Sequence, residues 1–179
     1  MNKCRIAGIL TKTDITFGSR WIYTFDVPRG QEGIDNLFVL SEDGRLPTGH
    51  VMIEGSIRAE YFRGKGMVIY IDPADVQRSD ETLSVTTVEG TIKNEVVPRV
   101  TKRNKDVCTL VLNTENGPIP VIIWGKSAKA AAGKYKTGDH VVAEGRLQSR
   151  EYPLRTGERK VTYEISVGKN NPEVRKVEK

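Results

Sequence analysis

The sequence predicts an all-β chain of two successive five-stranded barrels, and three observations carry that prediction. Short β-branched and aromatic runs bounded by Gly, Pro, Asn or Asp recur along the chain. The series of runs starts again near the middle. Between the third and fourth runs of the second series, one stretch has the composition of a helix.

The first series comprises Cys4 to Thr11, Trp21 to Val27, Leu37 to Leu40, Val51 to Arg58 and Met67 to Ile71. Within the second of these, Tyr23, Phe25 and Val27 alternate with Ile22, Thr24 and Asp26, which describes one buried and one more exposed face. After the polar stretch Arg78 to Ser84 come Thr87 to Asn94, Val107 to Leu112, Ile119 to Trp124, His140 to Leu147 and Val161 to Val167. Three blocks repeat in order. Ala7-Gly8-Ile9-Leu10 aligns with Glu89-Gly90-Thr91-Ile92, Tyr23-Thr24-Phe25 with Cys108-Thr109-Leu110, and Gly49-His50-Val51 with Asp139-His140-Val141. Ser127 to Gly133 is expected to form a short helix closed by the glycine, whereas Ser41 to Pro47 reads as a turn at the matching place. Five strands with a helix or loop between the third and fourth is the layout of an OB-fold. The expected fold is therefore all-β, two tandem OB-fold barrels at residues 1–78 and 85–168, followed by a flexible tail at 169–179.

Composition narrows the function classes. With 37% hydrophobic and 28% charged residues the chain can bury a core, although barrels of about 80 residues are small and are expected to support each other. No run reaches the roughly 18 apolar residues of a membrane span, and the start lacks the apolar core of a signal peptide, so a cytoplasmic protein without membrane contact is expected. Cys4 and Cys108 are too few for a disulfide framework and read as free thiols. The net charge of +5 points to an anionic partner, and its distribution is uneven. Residues 1–80 hold 10 Lys and Arg against 11 Asp and Glu; residues 81–179 hold 18 against 12. A polyanion is expected to engage the second half more strongly.

Three stretches of the second unit carry a family likeness: Val88-Glu89-Gly90-Thr91-Ile92, Val121-Ile122-Ile123-Trp124-Gly125-Lys126-Ser127-Ala128, and the run from Gly138 through Gly145-Arg146-Leu147 to Tyr152. In order and spacing they resemble the bacterial single-stranded-DNA-binding protein family, including primosomal replication protein N. The resemblance implies that Trp124 and Tyr152 stack on bases. An aromatic platform stabilises a single strand by about 1–3 kcal/mol per base without reading sequence, because every base has a π-face. A tryptophan closing the barrel core is the alternative for Trp124. The family's further aromatics are replaced by Thr114-Glu115-Asn116-Gly117-Pro118, and its acidic end by a stretch ending Val177-Glu178-Lys179. A specialised relative, from primosome restart or a mobile element, is expected.

Cations complete the expected site. Arg99, Lys102, Arg103 and Lys105 crowd the loop between the first two strands of the second unit, Lys126 follows Trp124, and Arg146, Arg150 and Arg155 lie on the fourth strand and its hairpin. Loops of this kind flank an OB-fold groove, where neutralising phosphates releases counterions. In the first unit Tyr61, Phe62, Arg63 and Lys65 pair rings with cations in the matching hairpin, whereas Trp21 and Phe38 read as core. Catalysis finds little support. The two histidines, His50 and His140, repeat one structural position, no ligand spacing for zinc is present, and Trp124-Gly125-Lys126-Ser127 lacks the first glycine of a phosphate loop. No cofactor is expected. The expected partner is single-stranded DNA, with RNA open, alongside replication or conjugation proteins, for a monomer or homodimer. The rival expectation is an OB-fold adaptor that docks such proteins and binds little nucleic acid.

Overall fold

The computed structural model describes residues 1–64, 66–168 and 174–177. Its order is β1 (Asn2–Phe17), β2 (Arg20–Pro28), a 3-10 turn (Gly30–Glu32), β3 (Ile34–Ser41), β4 (Gly49–Phe62), β5 (Gly66–Arg78), β6 (Ser84–Ile92), β7 (Arg99–Val100), β8 (Asp106–Thr114), β9 (Gly117–Trp124), α1 (Lys126–Lys134), β10 (His140–Pro153), β11 (Arg159–Val167) and β12 (Val174–Lys176). The chain is all-β with one short helix. β6 pairs with β8, β8 with β9, β9 in parallel with β11, β11 with β10, and β10 returns to β6. These five strands close a barrel, consistent with an OB-fold. In the first half the pairings run β1 to β2 to β3, in parallel to β5, to β4 and back to β1.

Alternation explains the core. Tyr23, Phe25 and Val27 point inward from β2, as do Cys108, Leu110 and Leu112 from β8 and Ile119, Val121 and Ile123 from β9. Leu10 pairs with Phe25 and Ile92 with Leu112, while Tyr23 pairs with Val39 and Leu110 with Val121. Tyr23 therefore corresponds to Leu110, two residues beyond the alignment the sequence offered for this strand. Alternating patterns match equally well when slipped by two, since the same face stays buried. Gly55 and Gly145 occupy one position in the repeat, and a Cβ there would lie 2.2 Å from the Asp72 carbonyl or 2.3 Å from that of Ser166. Both halves tighten at the same point.

Several elements run beyond their expected bounds. β1, β4, β5 and β10 are each 13 to 16 residues long, because the hairpins extend past the strands that close each circuit of pairing. Gly133 lies inside α1 rather than closing it; the helix ends at Tyr135, a buried ring whose hydroxyl donates to the Val174 carbonyl. In the span read as a tail, Val174–Lys176 pair with Ala143, Val142 and Val141 of β10, and residues 169–173, 178 and 179 lie outside the described residues.

The halves share a continuous sheet. Asn2 to Ile6 of β1 pair antiparallel with Val88 to Ser84 of β6. Asn2 also exchanges two side-chain hydrogen bonds with the backbone of Ile57, at 2.7 and 2.9 Å. The second joint is ionic. Asp35, fully buried on β3, accepts a hydrogen bond from the Ser149 N–H at 2.9 Å and faces Arg29 Nε at 3.1 Å and Arg146 Nε at 3.4 Å. Burial pushes the Asp35 carboxyl above its ordinary pKa, outweighing the Ser149 N–H and the two guanidinium groups that act the other way. Cys4 and Cys108 are free and buried, and burial pushes the Cys4 thiol up to about 12.

Candidate nucleic-acid interface

The outer surface of the second half is built by strand alternation. On β9 the inward positions are Ile119, Val121 and Ile123, so Trp124 faces out. It pairs with Val107, which pairs with Arg99 on β7, so the three lie in one row across three strands. The indole is half-buried; its Nε1 donates to Ser166 Oγ on β11 at 3.2 Å. Trp124 is thus outside the core cluster, anchored along one edge. Ser166 lies opposite Arg146 on β10, and from Arg146 the same face runs through Gln148 and Arg150 to Tyr152. Trp124, Arg146, Arg150 and Tyr152 share one outer face.

The cations on this face fall into two groups. Arg146 is turned towards Asp35 and donates from Nη2 to Gln148 Oε1 at 3.0 Å. Arg150 donates from Nη2 at 3.1 Å to Glu164, a buried carboxylate that also accepts from Gln148 Nε2 at 2.8 Å. These two arginines are held in place by carboxylates. By contrast Arg99, Lys102, Arg103, Lys105, Lys126 and Arg155 are exposed and have no ion-pair partner among the described residues. The β7–β8 hairpin displaying four of them is a defined turn: Thr101 N–H donates to the Lys105 carbonyl at 2.8 Å, and Asn104 takes a positive φ of 57°. Positive charge with no ion-pair partner among the described residues, at one end of a ring-bearing face, is suited to a flexible polyanion.

The first-half candidates are not brought together in this way. Phe62 is a correction: it is buried, packed with Leu40 and Tyr70, with Phe17 edge-on at a centroid distance of 3.9 Å. Tyr61 is 71% exposed but points to the other side of β4, opposite Met67. Arg63 is exposed at the hairpin turn, and Lys65 lies outside the described residues. Trp21 is half-buried against the core, with Lys12 Nζ 4.0 Å above its ring. Phe38 is half-buried in the cleft between halves, 6.0 Å from Tyr163. Sequence reading missed Ser166, Gln148, Glu164 and Asp35. The first three are readable from strand spacing once the register is known; Asp35 belongs to the other half, and no sequence pattern links it to Arg146.

Among the described residues, no group of His, Cys, Asp and Glu is arranged to hold a metal ion, and no helix is long and apolar enough to cross a membrane. His140 bridges β10 to β6, with its ring nitrogens 3.1 Å from Thr91 Oγ1 and 3.1 Å from Glu89 Oε1.

Comparison with known proteins bears on the fold and the family. The chain is similar to a deletion variant of the single-stranded DNA binding protein from Thermus aquaticus, with a TM-score of 0.69 at 16% identity, covering 97% of this chain and 93% of that one. The wild-type protein from the same organism gives a TM-score of 0.66 at 16% identity, covering 97% and 92%. At this identity the likeness is one of fold. The single-stranded DNA-binding protein of Clostridium tetani is 36% identical over 47 residues, a match that spans 26% of this chain and only about a third, 32%, of that relative's length. The model of the single-strand binding protein family matches residues 83–172, which contain the whole closed barrel and the face bearing Trp124 and Tyr152. That match takes in half the chain, and the protein belongs to the single-strand binding protein family.

Proposed function

We propose that this protein binds single-stranded DNA without catalysis, as two OB-type barrels in tandem at residues 1–78 and 85–168. The observation that carries this reading is the shared outer face of Trp124, Arg146, Arg150 and Tyr152, ending at the unpaired cations of the β7–β8 hairpin. Bases stack on Trp124 and Tyr152, while Arg99, Lys102, Arg103, Lys105, Lys126 and Arg155 neutralise phosphates. Duplex DNA hides its π-faces and gains only the phosphate contribution, so the preference for single strands comes from the rings. The names of the relatives point the same way. The matched circuits of strand pairing support the tandem reading, and the β1–β6 ladder supports one chain acting as a self-contained pair of barrels. A cytoplasmic role with strands exposed during replication, restart or transfer follows from that substrate.

Titration of the full chain with an unstructured oligonucleotide, by anisotropy at low and high salt, tests the reading. Binding that prefers single-stranded DNA to duplex and weakens with salt is expected. A salt-resistant complex with a protein and no strand binding at low salt would favour an adaptor instead.

A further inference from the structure

The strand registers set the two halves in correspondence position by position. Ile57 pairs with Ile71, and Ile71 in parallel with Val39; Leu147, Ile165 and Val121 do the same in the second half. Counting outward from these anchors, Trp124 corresponds to Glu42, Ser166 to Asp72, Arg146 to Ser56, Arg150 to Glu60 and Tyr152 to Phe62. The replacements take away the two rings assigned to stacking and add carboxylates beside their places. The tryptophan and one arginine become glutamates, a serine becomes an aspartate, and the second ring is buried.

We propose that a single strand is held on the outer face of the second half alone, and that the corresponding face of the first half excludes it, so that one chain takes one short strand. The inference rests on the function proposed above and assigns it to one barrel. Glu42, Asp43, Glu60, Asp72 and Glu115 border the first half's groove, a space of about 660 Å³. Its two cations are already engaged. Arg20 bonds Glu60 at 3.0 Å, and Arg58 bonds Asp72 at 2.6 Å. A phosphate entering this groove meets carboxylates, and among the described residues that line it both cations are already paired. The β1–β2 hairpin, which stands where the second half displays its basic hairpin, offers no substitute, since Lys12 donates to the Gly44 carbonyl at 2.6 Å and covers Trp21. Tyr61 lies on the opposite face of β4 from Phe62, so its exposed ring does not restore the missing platform.

The test is calorimetric titration of the full chain at low salt with a single-stranded DNA of about eight nucleotides, a length one OB-type barrel can accommodate. One equivalent per chain is expected. Arg103→Glu with Lys105→Glu should lower affinity about tenfold or more, whereas Tyr61→Ala with Arg63→Glu should change it less than about twofold. All four side chains are exposed, so both variants should fold. Two equivalents in the parent, one of which disappears in the Tyr61 and Arg63 variant, would overturn the inference while leaving strand binding intact. No binding of the oligonucleotide by the parent chain would overturn the proposed function, and this inference with it.

Discussion

Replacing Asp35 by alanine should destabilise the whole chain, because this carboxylate ties β3 of the first half to β10 of the second. Two losses combine. The Ser149 N–H loses its 2.9 Å acceptor in a buried place, which costs about 1–3 kcal/mol. Arg29 and Arg146 lose their shared counter-ion at 3.1 and 3.4 Å. Breaking a fully buried pair costs about 3–5 kcal/mol, but these arginine side chains are 24% and 29% exposed and can recruit water, so their share is smaller. A total of about 3 kcal/mol is expected. With a urea dependence of about 2 kcal/mol per molar, the unfolding midpoint should fall by roughly 1.5 M. Asp35→Asn keeps an acceptor for Ser149 and should cost about half as much. Equilibrium urea unfolding monitored by circular dichroism reads both variants. A midpoint within about 0.2 M of the parent for Asp35→Ala would instead mean that the joint contributes nothing net.

Lys102→Ala with Arg103→Ala should reduce the slope of log affinity against log salt by about 0.7 per contacted phosphate, measured by anisotropy across a salt series; an unchanged slope would remove the hairpin from the strand path. Gly145→Ala should lower stability by about 1–3 kcal/mol, because the new methyl would sit 2.3 Å from the Ser166 carbonyl; thermal unfolding checks it. Acid should destabilise the fold through Glu60 and Asp139. Hydrogen bonds from Arg20 and then Tyr70 hold Glu60 below its ordinary pKa, and Lys176 and the Lys136 N–H do the same for Asp139. The unfolded chain therefore binds these protons more readily, so the stabilisation is complete above the ordinary carboxylate range and is lost as pH falls through the lowered values. Glu60→Gln should flatten the acid limb of a plot of Tm against pH.

The barrel elements were legible because β-branched runs and turn residues act locally, and the helix was legible from its alanines. What escaped depends on long-range geometry. The two-residue slip at Tyr23 arose because a period-two pattern cannot distinguish registers that keep the same face buried. Phe62 read as a surface ring from its neighbours Arg63 and Lys65, yet Phe17, sent across from the extended β1–β2 hairpin, covers it. Arg146 read as a free cation because Asp35 lies far from it in sequence. For Trp124, spacing left both a core and a surface role open; outward alternation and the bond to Ser166 place it on the outer face. The charge imbalance between halves was legible from composition, but the places of Glu42, Glu60 and Asp72 opposite Trp124, Arg150 and Ser166 in the repeat depend on the strand registers.

Stacking of bases on Trp124 can be read in a Trp21→Phe variant, which leaves Trp124 as the sole indole. Its emission should be quenched on titration with single-stranded DNA, less so at high salt, and little by duplex. Trp124→Ala in the otherwise native chain should weaken the complex by about 1–3 kcal/mol. Emission that does not respond to a bound single strand, with affinity unchanged in the folded Trp124→Ala protein, would mean that bases do not stack on this ring.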